Sequence, residues 1–355
     1  MNDFFIGIEL TRHCNLRCAH CFRADLDKVS EIPYETVEKI LIEAKRYNKP
    51  HIAMTGGETT LHKRFVDILE LIIRHGYSFH FVTNGYNFKR IYQKTYHLLE
   101  NPLWKGVSVS LDGATEATHD AVRGKGSFRG ALATIAIARV HDKEVVIQMV
   151  AHRGNSHELE QMALLASKMD ATRLHIAHMQ PTPHAVEHSL LHSPEEYRRV
   201  EDEVRSLQGR FRMPIAFSAG FYDETPLAHC KFLRFGALNI DYAGRLTTCC
   251  QLSNMEGDTL ETDVVSNLQT TSLETAHMKL LEVYQEIFDA RLQKMQDGTF
   301  QKLDNFHCWH CLKHFKKVDW MKNYPENEWV KEDHYFKGEK RWVSELIQIK
   351  SSTRT

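Results

Sequence analysis

Three cysteines near the start of the chain, Cys14, Cys18 and Cys21, have the spacing C-x3-C-x2-C, with no fourth cysteine nearby. A structural zinc ion or a closed iron–sulfur cluster takes four protein ligands. Three thiolates on a four-iron cluster leave one iron open. An open position can bind and activate a further molecule, as in catalytic zinc sites. The other five cysteines, Cys230, Cys249, Cys250, Cys308 and Cys311, all lie in the second half of the chain. Two separated metal-ligand groups are the simplest account of that distribution.

The elements that must carry these residues follow from periodicity. Phe5–Leu10 reads as a strand feeding the cysteine loop, and Pro33–Tyr47 as a helix with Val37, Ile40, Leu41 and Ala44 on one face. Strands are expected at His51–Thr55, Phe79–Thr83, Val107–Leu111, Val145–Val150 and Arg173–Ala177, separated by helices near Phe65–His75, up to Leu99, Phe128–His141 and Glu158–Met169. Strands alternating with helices of this length imply right-handed βαβ units and a parallel sheet. Six units are too few for a closed eight-fold barrel, so a curved, partly open (βα)6 barrel is expected. In such barrels chemistry sits at the C-terminal ends of the strands.

Those ends carry a series of turns. Thr55-Gly56-Gly57-Glu58 follows the second strand, Thr83-Asn84-Gly85 the third, and Ser110-Leu111-Asp112-Gly113 the fourth, with Arg123 thirteen residues beyond Ser110. Each alone could be an ordinary turn. Together with the cysteine loop, in this order, they resemble the radical S-adenosylmethionine (SAM) superfamily. The resemblance covers about residues 5–315. It implies an α/β fold, a partial (βα)6 radical SAM barrel, with a first [4Fe-4S] cluster on Cys14, Cys18 and Cys21 whose open iron chelates SAM. Gly56, Gly57 and Glu58 would hold the amino group of SAM, the glycines by letting backbone come close and the carboxylate by accepting from an ammonium. Ser110 and Arg123 would contact its carboxylate, which the planar guanidinium fork matches. Asn84 and Asp112, in the same turns, join the candidate cofactor-binding set. His20 stands where the family places a bulky residue beside the adenine, and Phe22 could share that packing.

From about Pro181 the pattern changes. His184, His188 and His192 recur every four residues before a charged helix at about Glu195–Leu207; with 22 histidines in the chain they read as a solvated face rather than a metal site. Asp241–Thr248 reads as a β-hairpin around Ala243-Gly244. The order Cys230, Cys249-Cys250, Cys308-x2-Cys311 resembles the shortened auxiliary-cluster (twitch, SPASM-like) domain of radical SAM enzymes. By that resemblance Cys230, Cys249, Cys308 and Cys311 hold a second [4Fe-4S] cluster. A zinc ribbon is the competing reading, kept alive by His307, His310 and His314. Cys250 is left over: an inert neighbour, a substitute ligand for Cys249, or the hydrogen-atom donor that peptide epimerases of this superfamily carry in a similar layout. The expected division is a barrel core at 1–180, a bridging segment at 181–228, an auxiliary domain at 229–315 and a tail at 316–355, containing Trp320, Trp329 and Trp342, that packs on the barrel or lines a channel.

Composition sets the outer bounds. A formal charge of −1 over 355 residues gives no global attraction for nucleic acid or an anionic membrane. No apolar run reaches the ~20 residues of a membrane span, and Met1-Asn2-Asp3-Phe4-Phe5 lacks the features of a signal peptide. The expectation is a cytoplasmic enzyme whose cysteines are ligands or catalytic thiols rather than disulfides. The resemblance implies cleavage of SAM to a 5′-deoxyadenosyl radical that abstracts a substrate hydrogen, with a flavodoxin or ferredoxin as one-electron reductant. The favoured substrate is a ribosomally made peptide undergoing L-to-D epimerisation, because of Cys250. Only about four residues precede the first strand, which leaves no room for a leader-recognition domain, so recognition is expected to be direct or through a separate partner protein. The alternatives are dehydrogenation of a small-molecule alcohol, such as an aminocyclitol or aminoglycoside precursor, and a non-catalytic cluster or zinc protein.

Overall fold

The computed structural model describes residues 4–23, 27–220, 222–224, 230, 232–233, 235–255 and 260–337. Seven strands run parallel in sequence order: β1 (Phe5–Thr11), β2 (His51–Gly56), β3 (Phe79–Thr83), β4 (Trp104–Ser110), β5 (Glu144–Ala151), β6 (Arg173–His178) and β7 (Ile215–Ala219). Between them lie α1 (Tyr34–Glu43), α2 (Phe65–Arg74), α3 (Phe88–Leu99), α4 (Glu116–Arg123), α5 (Ser127–Val140), α6 (Leu159–Lys168), α7 (Pro183–Glu187) and α8 (Pro194–Leu207). The pattern of β5 explains its place: Val145, Ile147 and Met149 are buried, while Val146, Gln148 and Val150 on the opposite face stay half-buried. On α6, Leu159, Met162, Ala163 and Ala166 form the matching buried stripe at helical spacing. Ser193 and Glu196 close a capping box at the start of α8, with Pro194 at its first position.

The strand–helix alternation expected from the sequence is present, with two additions. β7 is a seventh parallel strand, so the expected bridging segment contributes to the barrel sheet. α4 fills what reads as loop between β4 and α5; Thr115 caps it by accepting from the Thr118 N–H. Past β7, the chain returns to the other edge. β8 (Ala237–Ile240) pairs parallel with β1, Phe5 opposite Ala237 and Ile8 opposite Ile240, and the antiparallel strands β9 (Arg245–Thr247) and β10 (Val264–Asn267) follow. The hairpin expected at 241–248 therefore extends the barrel sheet instead of forming a sheet of its own. Its turn is fixed by Asp241, whose carboxylate accepts from the N–H groups of Ala243 and Arg245 at 3.0 and 2.9 Å, with Gly244 at φ +74°. The order β10-β9-β8-β1-β2-β3-β4-β5-β6-β7 leaves the partial barrel open between β10 and β7 among the described residues.

Three more helices complete the C-terminal part: α9 (Leu273–Gln296), α10 (His307–His314) and α11 (Glu328–Glu332). The tail lies over the barrel end. Trp329 stacks within 4.6–5.1 Å of Trp309, Tyr197 and Phe306, and its indole N–H donates to the His192 carbonyl. Trp320 is half-buried, and Trp342 lies outside the described residues. No helix among the described residues is long and apolar enough to cross a membrane.

The helix-side core is densest around β3 and β4, where Phe81 meets Phe65, Phe88 and Trp104 at ring distances of 5.2–6.0 Å. Phe81 is fully buried. Phe81→Ala should therefore cost about 3–5 kcal/mol in a urea or guanidinium titration, transfer and cavity terms together. A loss below ~1 kcal/mol would contradict this packing.

Candidate functional site

The loop that carries Cys14, Cys18 and Cys21 leaves β1 and is held by the turn after β2. The Gly57 N–H donates to the Thr11 carbonyl at 2.7 Å and the Glu58 N–H to the His13 carbonyl at 2.9 Å. A Cβ on Gly57 would lie 2.2 Å from the His13 oxygen, and Gly56 has φ +139° with Thr11 equally close. The two glycines thus let backbone meet backbone beside the cysteines. Glu58 is buried and receives four donors from the chain itself: Thr60 N–H and hydroxyl and Thr83 hydroxyl on Oε1, and Asn84 N–H on Oε2. Burial pushes its carboxyl up and those donors pull it back. Oε2 keeps an acceptor position for an ammonium, while the same carboxylate ties the ends of β2 and β3 together.

Asn84 faces the cysteine loop, its amide 3.0 Å from Asn15 Oδ1 and 3.8 Å from Cys14 Sγ. Arg123, at the end of α4, reaches the same loop: Nη1 lies 3.8 Å from Cys18 Sγ and Nη2 3.4 Å from His20 Nε2. Its Nε donates to Asp112. Asp112 is fully buried and also accepts from the Val150 N–H at 2.8 Å. Although burial pushes Asp112 up, Arg123 and then His20 hold it well below the usual carboxylate range. Burial pulls His20 down to about 3, leaving a neutral ring that stacks on His152 at 6.2 Å. Ser110 is half-buried at the end of β4. The sequence-derived residues of the first group are thereby brought together around one loop, with Asp112 as the direct partner of Arg123.

Burial pushes the Cys14 thiol up to about 11 and Cys18 to about 12. Only a bound cation would make such thiols thiolates at neutral pH. The donor set fits a cluster: three thiols on one loop, Arg123 beside one and Asn84 beside another.

The second group also converges. Cys230, Cys249, Cys308 and Cys311 line one cavity with Gln180 and Tyr284. Burial pushes Cys308 up to about 12 and Cys311 well above its ordinary value. Among the described residues no three His, Cys, Asp or Glu side chains close tightly enough to grip a single metal ion. Four thiols on one cavity are the number of protein ligands that either a [4Fe-4S] cluster or a structural zinc ion takes. His310 is turned to Asp304 instead, at 3.4 Å. His184 and His188 are exposed while His192 is buried against Ser156, so the three do not share a face.

Cys250 is not among the residues lining that cavity. Its thiol adjoins Cys249 and lies within electrostatic reach of Arg23 and Glu9. The Cys249 thiol first, and Arg23 against the effect of burial, hold it below the usual thiol range. Arg23 and Glu9 are residues the sequence did not single out. Arg23 donates to both Glu9 oxygens at 2.9 and 3.0 Å and to the Ser253 carbonyl at 3.5 Å, and bridges to Met255. Arg12 donates to Asn254 Oδ1 at 2.9 Å. The loop after Cys250 is thus stitched to the first cysteine loop on both flanks. The available signal was position: Arg23 stands two residues past Cys21, and Glu9 alternates inward on β1.

Removing the guanidinium tests the buried pair at the first loop. Arg123→Met leaves Asp112 buried and unpaired, which should cost about 3–5 kcal/mol in chemical denaturation of the cluster-free chain. Adding Asp112→Asn to the same variant should return most of that loss. A single substitution that costs under ~1 kcal/mol would contradict the pairing.

Comparison with known proteins agrees with this geometry. Residues 8–166 match the Radical SAM superfamily. The chain is 31% identical over 176 residues to mycofactocin maturase MftC of Mycolicibacterium smegmatis, covering 49% of this chain and 44% of that one. It is 24% identical over 259 residues to the PqqA peptide cyclase of Bradyrhizobium diazoefficiens, covering 70% and 67%. The chain thus spans about half the length of the first of these relatives. In fold it resembles SuiB of Streptococcus suis, solved with bound S-adenosylmethionine, at a TM-score of 0.61 and 15% identity over 77% of this chain and 65% of that one. A partial parallel barrel, a three-cysteine loop at its first strand end and these matches identify residues 8–166 as a domain of the radical SAM superfamily.

Proposed function

We propose that this protein is a radical SAM enzyme that modifies a ribosomally made peptide, and that the modification is L-to-D epimerisation of one residue. The observation that carries the reaction type is that Cys250, although its thiol adjoins Cys249, is not among the residues lining the cavity of the four thiols and lies beside Arg23 and Glu9 at the seam of the two cysteine loops. The substrate class is supported by the likeness to MftC, the PqqA peptide cyclase and SuiB.

In this reading Cys14, Cys18 and Cys21 hold the first cluster, and Cys230, Cys249, Cys308 and Cys311 the auxiliary one. Gly56 and Gly57 let the SAM amino group approach backbone, and Glu58 Oε2 and Asn84 orient it. Ser110 and Arg123 face its carboxylate, Asp112 fixes the guanidinium, and the neutral His20 ring lies beside the adenine. When bound, the cluster and SAM would supply a 5′-deoxyadenosyl radical that removes a hydrogen atom from the substrate Cα. Cys250 then returns a hydrogen atom from the other face: its S–H bond breaks as the new C–H bond forms. One electron from a flavodoxin- or ferredoxin-type reductant and one proton restore the thiol. A donor must be a protonated thiol. Once Cys249 serves as a ligand it has no proton to share with Cys250, which removes the first cause of the lowered Cys250 value. All eight cysteines are unbridged, as a reducing cytoplasm would keep them. The peptide is recognised directly or through a separate leader-peptide-binding protein.

The test is turnover in D2O. Wild-type protein should place one deuterium on the product carbon, because the thiol proton exchanges with solvent. Cys250→Ala should keep both clusters, still form 5′-deoxyadenosine with substrate, and lose at least ~90% of product. Full product yield from Cys250→Ala, or a product two mass units lighter with no solvent deuterium, would reject epimerisation in favour of dehydrogenation.

A further inference from the structure

Gln180 lies two residues past the end of β6, where the barrel mouth meets the C-terminal part of the chain. It is 5% exposed and lines the cavity of Cys230, Cys249, Cys308 and Cys311. It also lines the neighbouring cavity, where His178 and Trp329 stand beside Cys308. Three other polar groups that line this cavity with the thiols are committed. The Tyr284 hydroxyl donates to the Thr248 carbonyl at 3.2 Å, the Thr248 hydroxyl to the Asp263 carbonyl at 3.1 Å, and the Gln251 side chain bonds to Cys250. The Gln180 carboxamide has no hydrogen-bond partner among the described residues.

The apolar part of the wall is Phe232, Leu233, Leu252 and Leu312, and His307 joins it. The acceptors this cavity would contain, once filled, are sulfurs. The main chain already points donors at two of the thiols. The Gly220 N–H lies 3.3 Å from Cys308 Sγ, and the Gln251 N–H 3.4 Å from Cys249 Sγ. Gly220 is held there by its own lack of a side chain, since a Cβ would come within 2.8 Å of the His178 Cβ. We infer that Gln180 is a positioning residue of the auxiliary cluster, donating its carboxamide N–H to a cluster or ligand sulfur and so raising the cluster's reduction potential. Donors to sulfur stabilise the more negative, reduced state of a cluster. The inference rests on the reading of these four cysteines as cluster ligands.

The experiment is a redox titration, followed by electron paramagnetic resonance, of the full chain carrying Cys14→Ala, Cys18→Ala and Cys21→Ala, in which only the auxiliary cluster is read. Gln180→Met keeps the volume and removes the donor; its midpoint should move to a more negative potential at unchanged iron content. Gln180→Glu should move it further, because a carboxylate adds negative charge. Pulsed resonance of the reduced cluster after exchange into D2O gives a second readout. The parent should show a coupled exchangeable deuteron that Gln180→Met lacks. Equal midpoints and equal deuteron couplings in the parent and Gln180→Met overturn the inference while leaving the ligand assignment standing. A parent that binds no iron overturns the ligand assignment, and the inference with it.

Discussion

The ion pair between Glu9 and Arg23 holds the two halves of this molecule in register. Glu9 sits on β1 with 1% of its surface exposed, and Arg23 meets it with both prongs of the guanidinium. Asn239 on β8 donates to the same carboxylate at 3.3 Å, and the Ser253 hydroxyl at 3.5 Å. One buried charge pair therefore touches the first barrel strand, the end of the first cysteine loop, the returning strand and the loop after Cys249-Cys250. Breaking a buried pair by removing one partner costs far more than its net contribution, because an uncompensated charge remains. Bidentate geometry and the surrounding donors are what make such a pair tolerable in the interior.

That arrangement sets the loop after Cys249-Cys250 against the flanks of the first cysteine loop. β8 pairs with β1 along four residues, so the hairpin that leads to Cys249 is built beside the strand that leads to Cys14. The long helix α9 is tied to α1 at its start: Lys39 donates to the Leu268 and Thr271 carbonyls at 2.8 Å, and Glu43 accepts from the Leu273 N–H at 2.6 Å. At the far end a buried set of charges fixes α10, which carries Cys308 and Cys311. Lys313 donates to Asp304 and Asp333 at 3.0 and 2.6 Å, and Trp309 to Asp333 at 2.7 Å. Asp333 belongs to the tail, so the tail clamps the second cysteine pair as well as packing on the barrel. The cavity between these elements owes its shape to contacts made by residues far apart in the chain.

Much of this was legible in the chain because it is local. Strand and helix periodicity located β1–β6 and most of their helices to within a few residues, since each element shows its buried stripe in its own pattern. Cys14, Cys18 and Cys21, and the turns at Gly56, Asn84, Ser110 and Asp112, could be placed at strand ends for the same reason. What escaped was decided by tertiary contacts. β7 is a short stretch whose strand character comes from pairing with β6. The alliance of β8 with β1 joins residues more than 200 apart, and no local pattern encodes it. α4 is a polar, two-turn helix fixed by its cap and by Arg123 reaching Asp112. Asp112 stands in a turn with the candidate cofactor residues, and the hydrogen bond it accepts from Arg123 adds the role of partner to that side chain. Arg23, Glu9 and Gln180 carry no motif and stand out only once burial and hydrogen-bond satisfaction are known.

In the proposed function the two cysteine groups hold two iron–sulfur clusters on one sheet. Iron, sulfide and zinc determination on the anaerobically reconstituted full chain tests it most directly, with Mössbauer spectra to assign cluster type. The account predicts about eight irons and eight sulfides per chain as two four-iron clusters. About four irons together with one zinc ion per chain would contradict it, making the second cysteine group a zinc site.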